Sequence, residues 1–223
     1  VLFLLPQLQY LPGDYAIASI VGILVAALVG MTIHEWAHNY VGYKMGDQNP
    51  KRLGKLTLNP MAHIYWPGFL MFVVIGFGIL GTAPIAAHRM RNPRTGYLYA
   101  VAAGPVSNLL FAIVAALLYR FLEGITGFDP PRILLYLQII LSVVVTFNLA
   151  LFLFNFLPFF PLDGWFIVLA LLPAREAIWW ERNAQMSQFV FFAAILIGFA
   201  TPISPLGLII GEPLNLLQRI LMG

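Results

Sequence analysis

Residues 15–33 carry no charged side chain, and the run goes straight on into His34-Glu35-Trp36-Ala37-His38 before it ends near residue 43. A stretch of that length and polarity fits the hydrocarbon core of a bilayer, where every backbone N–H and C=O must be satisfied inside its own segment. The segment is therefore helical, and it delivers two imidazoles and a carboxylate to the end of a lipid-compatible helix. Uncharged runs recur at residues 97–119 and 133–157. The whole chain is 61% hydrophobic and 9% charged, against about a quarter charged in ordinary soluble domains. Its formal net charge of +3 is too small to point to nucleic acid and bears instead on orientation in the lipid bilayer.

The expected fold is an all-α polytopic membrane protein with about four transmembrane helices, one of them broken, plus a re-entrant hairpin and a short surface β element. It reads as one membrane-embedded domain over residues 1–223, with a catalytic core at 15–172 and a C-terminal span and interfacial helix at 186–223. Residues 1–13 read as an interfacial lead-in, since the apolar start is too short for a signal peptide. Asp14 is placed to cap the first helix. Residues 51–58, Lys51-Arg52-Leu53-Gly54-Lys55-Leu56-Thr57-Leu58, alternate polar and apolar in part and suggest a surface strand. Residues 65–82 are just long enough to cross, yet Lys44, Lys51, Arg52 and Lys55 precede them and Arg89, Arg91 and Arg94 follow. Basic loops stay in the cytoplasm, so both flanks belong on one side and the segment is expected to enter and return. Pro158-Phe159-Phe160-Pro161 breaks the helix of residues 133–157 because proline removes a donor and clashes with the preceding turn. Residues 186–200 make a last short span, and residues 214–222 are expected along the membrane surface.

The H-E-x-x-H spacing places His34 and His38 on one helix face, four residues apart. Two imidazoles so placed can hold one zinc ion, and the intervening Glu35 can act as general base on a water there. No cysteine is present, so the remaining ligands must be His, Asp or Glu. Of the acids, Glu35 and Asp163 lie deep in apolar sequence. A bare carboxylate at such a depth is disfavoured by about 3 kcal/mol on insertion scales. Asp163 follows the proline break in Pro161-Leu162-Asp163-Gly164, where a broken backbone is tolerated when it lines a cavity. Catalytic zinc takes three protein ligands and leaves one position open; His34, His38 and Asp163 complete that number. The alternative for Asp163 is a helix N-cap. His63 and His88 are read as interfacial or loop histidines, with a fourth-ligand role open to either.

Beyond the His box, Asn155-Phe156-Leu157-Pro158-Phe159-Phe160-Pro161-Leu162-Asp163-Gly164 resembles the N-x-x-P-x-x-P-L-D-G box of the site-2 protease family of intramembrane zinc metalloproteases. Gly104-Pro105-Val106-Ser107-Asn108 resembles that family's G-P-x-x-N stretch, and Leu58-Asn59-Pro60-Met61-Ala62-His63 resembles the segment after its first box. The resemblance spans residues 15–172 and suggests a compact form without PDZ or CBS domain. It implies zinc on His34, His38 and Asp163, a catalytic Glu35, and Asn155 and Asn108 as groups that hold substrate or transition state. The partner it implies is a membrane-anchored protein cut in or near its transmembrane segment, such as a tethered transcription regulator or a signal-peptide remnant. The active site would face the cytoplasmic side of the cell membrane. Two rival readings are a metal transporter, which needs acids and histidines strung along a pathway, and an inactive relative that binds membrane helices.

Overall fold

The computed structural model describes residues 11–76, 78, 80–81, 83–126, 131–202 and 204–223. Its helices, in chain order, are α1 (Gly13–Lys44), α2 (Asn49–Arg52), α3 (Pro60–His63), α4 (Trp66–Ile75), α5 (Pro93–Thr126), α6 (Arg132–Asn155), α7 (Asp163–Leu171), α8 (Ala174–Arg182), α9 (Ala184–Ala200) and α10 (Pro205–Met222). Three of them, α1, α5 and α6, are long and apolar enough to cross a membrane. A fourth crossing arises if α8 and α9, bent by 54° at their junction, form one span. The chain is thus a polytopic, helical membrane protein. Most of the lead-in expected at residues 1–13 lies outside the described residues.

The helices α1, α5 and α6 pack on one another through small side chains. Ala26, Ala112, Ala115 and Ala116 meet Val144, Val145 and Leu149 in one buried cluster. Small residues let apolar helices approach closely, so that dispersion contacts replace contacts with lipid. A second cluster joins Ile23, Ala27 and Met31 of α1 to Phe72 and Leu80 of the segment that follows α3. Asp14 is not the cap of α1. Pro12 holds that position, and the Asp14 carboxylate instead accepts a 2.7 Å hydrogen bond from the Tyr136 hydroxyl of α6.

Residues 65–81 go out and come back. The chain rises through α4, turns at Gly76 with φ +91°, and returns so that the Tyr65 N–H donates to the Leu80 carbonyl at 2.9 Å. Ile64 and Gly81 form an isolated antiparallel bridge at the mouth. A segment whose two ends are hydrogen-bonded to each other does not cross a bilayer. The return leg then joins the foot of α1. The Ala86 N–H donates to Asp47 at 2.7 Å, the Arg91 N–H donates to the Met45 carbonyl at 2.9 Å, and Arg89 donates to the Asn49 side chain. The two basic flanks therefore lie on one side. Cysteines introduced singly at Lys51 and Arg91, both exposed, are expected to react with an impermeant thiol reagent from the same face of oriented vesicles. The chain has no cysteine of its own to obscure the readout, and labelling from opposite faces would exclude the hairpin.

One expectation is corrected. Among the described residues there is no β-strand at residues 51–58. Their polar groups are taken up locally: α2 occupies the first positions, the Lys55 ammonium donates to the Ala62 carbonyl, and the Thr57 carbonyl accepts from His63. The C-terminal helix packs on the bundle. It begins at Pro205, lays Leu214, Leu217 and Leu221 on the alanine-lined surface of α5 and α6, and donates from Gln218 to the Thr146 hydroxyl at 2.7 Å. Thr146 stands in the middle of α6, so the leucine face of α10 is satisfied by protein.

The break after α6 runs through residues 156–162, and α7 starts at Asp163. A Cβ at Gly164 would collide with the carbonyls of Phe156 and Leu157, so glycine lets the chain fold back against the end of α6. The far end of α7 is held by Arg94 of α5. Its guanidinium donates to the carbonyls of Ala170, Leu171 and Leu172 at 2.7–2.8 Å, occupying acceptors that a helix C-terminus leaves free.

Candidate metal centre and active site

His34 and His38 stand one turn apart on α1, rings edge to face with centroids 4.5 Å apart. The outer nitrogen of each ring is engaged. His38 Nδ1 lies 2.8 Å from the Ala100 carbonyl of α5, and a carbonyl only accepts, so Nδ1 carries the hydrogen. His34 Nδ1 lies 2.6 Å from Asn108 Oδ1. The Asn108 amide donates from Nδ2 to the Gly30 carbonyl at 3.2 Å, which leaves its oxygen for His34, so this Nδ1 also carries the hydrogen. In a neutral imidazole the other nitrogen is then a bare acceptor.

Both bare Nε2 atoms point to one place. They are 3.0 Å apart, and Asp163 Oδ2 lies 3.2 Å from one and 3.3 Å from the other. That carboxylate oxygen is buried and has no hydrogen-bond partner. Three polar atoms converge on one point, and burying polar atoms without a partner is costly; a cation among them satisfies all three. The spacing is close to what zinc needs, since donors on tetrahedral zinc at about 2.1 Å from the ion lie about 3.4 Å apart. Among the described residues these three side chains form the group able to hold a metal ion. A Cβ on Gly104 would overlap His38 Nε2 and His34 Cε1, so glycine is what allows α5 to press against both rings.

Glu35 is 4% exposed, and its Oε2 has no partner. The return leg of the hairpin passes over it so closely that a Cβ on Gly81 would strike the carboxylate. The triad and Glu35 open on one cavity of about 470 Å³. Asn155 and Tyr97 also line it, and Phe191 and Phe192 of α9 supply part of its apolar wall. A carboxylate oxygen without a partner beside a metal-ligand cluster, on the wall of the same cavity, is placed to exchange protons with a water and a leaving group.

The structure brings His34, His38 and Asp163 together and puts Glu35 in the same cavity. Asp163 is not a cap: Leu162 holds the cap position and no side-chain capping bond forms. Asn155 lines the cavity while its Nδ2 donates to the Leu151 carbonyl at 3.0 Å. Asn108, grouped with it by sequence, lies elsewhere. It is fully buried behind His34, with oxygen and amide both engaged. His63 donates from Nε2 to the Thr57 carbonyl at 2.6 Å and His88 is exposed; neither belongs to the cluster. Sequence reasoning assigned no role to Asn148, whose Oδ1 accepts from Asn108, or to the Ala100 carbonyl. An asparagine inside an uncharged apolar run was the available signal for the first; a backbone group leaves none.

These features define a class: polytopic membrane proteins with a buried two-histidine, one-carboxylate centre and an adjacent glutamate, as hydrolytic metalloenzymes use. No protein-family model matches the chain, and no solved structure matches it. The chain is 34% identical to the protein named "Putative zinc metalloprotease YwhC" of Bacillus subtilis (strain 168), over 194 residues that make up 85% of this chain and 84% of that one. It is 26% identical over 157 residues to "Putative zinc metalloprotease Rip2" of Mycolicibacterium smegmatis (strain ATCC 700084 / mc(2)155), covering 66% of this chain and 57% of Rip2. With the protein of the same name from Mycobacterium tuberculosis (strain ATCC 25618 / H37Rv) it shares 26% identity over 169 residues, 71% of this chain and 62% of the relative. The chain belongs to the zinc metalloprotease family that YwhC represents.

Proposed function

We propose that the chain is an intramembrane zinc metalloendopeptidase of the site-2 protease type, cutting membrane-anchored proteins in or near their transmembrane segment. The observation that carries this reading is the place of the site: a metal-ligand triad and a free glutamate, buried among candidate membrane spans and opening on an apolar-walled cavity. A substrate with an apolar segment suits that wall.

His34 Nε2, His38 Nε2 and Asp163 Oδ2 would hold the zinc. When bound, zinc supplies a Lewis acid that polarises a carbonyl and makes water acidic near neutral pH. Glu35 takes the proton of the attacking water on its free carboxylate oxygen and returns it to the amide nitrogen as the C–N bond breaks. Asn155, on the cavity wall, orients the substrate backbone. The Asn108 and Ala100 acceptors keep both imidazoles in the tautomer that presents Nε2. The substrate must enter unwound, because a helical amide is shielded by its own turn. The site faces the cytoplasmic side of the cell membrane, a reading supported by the basic residues gathered at the foot of α1, beyond the His box. Substrates of the class are tethered transcription regulators and signal-peptide remnants.

The test is purified protein in proteoliposomes with a model single-span substrate. Cleavage is expected, lost with a chelator and restored by zinc. Metal uptake without cleavage would favour a transporter, and stable substrate binding without cleavage an inactive helix-binding relative. The triad is confined to one cluster, and Glu35 beside it has no use in transport.

A further inference from the structure

Behind His34 lies a chain of amides that the mechanism above does not use in full. Three helices meet there, α1 at Gly30, α5 at Asn108 and α6 at Asn148, and both asparagines are fully buried. The orientation of each amide follows from its neighbours. Asn148 Nδ2 donates to the Val144 carbonyl at 2.9 Å, which can only accept, so Asn148 Oδ1 faces the other way. There it accepts from Asn108 Nδ2 at 3.0 Å. Asn108 Nδ2 also donates to the Gly30 carbonyl, so Asn108 Oδ1 is turned to His34 Nδ1. A Cβ at Gly30 would overlap Asn148 Oδ1, so glycine is what lets α6 bring this acceptor in. The sequence runs in one sense: the Val144 carbonyl orients Asn148, Asn148 orients Asn108, and Asn108 fixes which nitrogen of His34 is bare.

We infer that Asn148 is a positioning residue of the metal centre, acting through Asn108 to hold His34 in its metal-binding tautomer and thereby raising metal affinity. The inference rests on the reading that His34, His38 and Asp163 bind zinc. Partners that orient a ligating imidazole change metal affinity by about 10–100-fold when lost; Asn148 stands one bond further out, and Gly30 still holds Asn108, so the lower end applies.

The experiment is a zinc competition titration against a chromophoric chelator, on the full chain in detergent, with the thermal midpoint of the metal-free protein measured alongside. Asn148→Leu removes the acceptor, while Asn148→Asp keeps an oxygen facing Asn108. The expected result is about 10-fold weaker zinc binding for Asn148→Leu and affinity within about 3-fold of the parent for Asn148→Asp. Should Asn148→Leu not fold, Asn148→Thr replaces it: its hydroxyl bonds back to the Val144 carbonyl, does not reach Asn108, and carries the same threshold. Unchanged zinc affinity in the variant lacking the acceptor, or equal loss in both variants, overturns the inference. A lowered thermal midpoint with parental zinc affinity assigns Asn148 to packing alone and overturns it too. If the parent itself binds no zinc, or binds it independently of Asp163, it is the proposed function that fails, and the two failures are told apart in one titration.

Discussion

Glu35→Gln is expected to keep one zinc ion per chain and to cut a single-span substrate about 10²- to 10⁴-fold more slowly than the parent, the range that a positioned general acid–base contributes. The two side chains are nearly equal in volume, and the parent carboxylate makes no bond from Oε2 that the amide would break. What is lost is the ability to take a proton and give it back. Metal content by elemental analysis and cleavage rate are measured on one preparation. A variant that holds zinc and turns over at the parental rate would remove Glu35 as the base. A variant that loses zinc would mean that Glu35 also keeps the cluster together.

Asp163→Ala removes one of three donors, and zinc affinity should fall by more than about 100-fold, beyond what the loss of a supporting partner does. Zinc in large excess separates parent from variant. At 1,000 times its dissociation constant a ligand stabilises the folded state by about 4 kcal/mol, a gain the variant does not share at the same concentration. Melting curves with and without zinc measure that difference. Equal zinc-dependent stabilisation of variant and parent would show that Asp163 is not a ligand.

The metal centre was legible in the sequence because its chemistry is costly where it sits. Charged and metal-binding groups are disfavoured in lipid, so Glu35 and Asp163 stood out against uncharged runs, and helical spacing alone put His34 beside His38. The hairpin was legible for a similar reason, since basic residues on both flanks of residues 65–82 forced its ends to one side. The surface strand at residues 51–58 failed because alternation over so short a stretch does not reveal which backbone groups will be taken by turns and by Lys55 and His63. The packing partner of α10 was not legible, because an amphipathic leucine face satisfies itself equally on a headgroup layer or on the alanine surface of α5, and the sequence does not choose. Asn108 was read through its resemblance to a motif as a substrate group. Only the distances place it behind His34.

Arg94 gives α5 a wider part than its sequence suggests. The helix contributes no ligand, yet it touches the support of all three: it receives His38 on Ala100, braces His34 with Asn108, and grips the tail of the Asp163 helix by three carbonyls. Side chains from two distant stretches of chain are thereby registered to one helix. A substitution that displaces α5 therefore acts on His34, His38 and Asp163 together, although none of the three belongs to it.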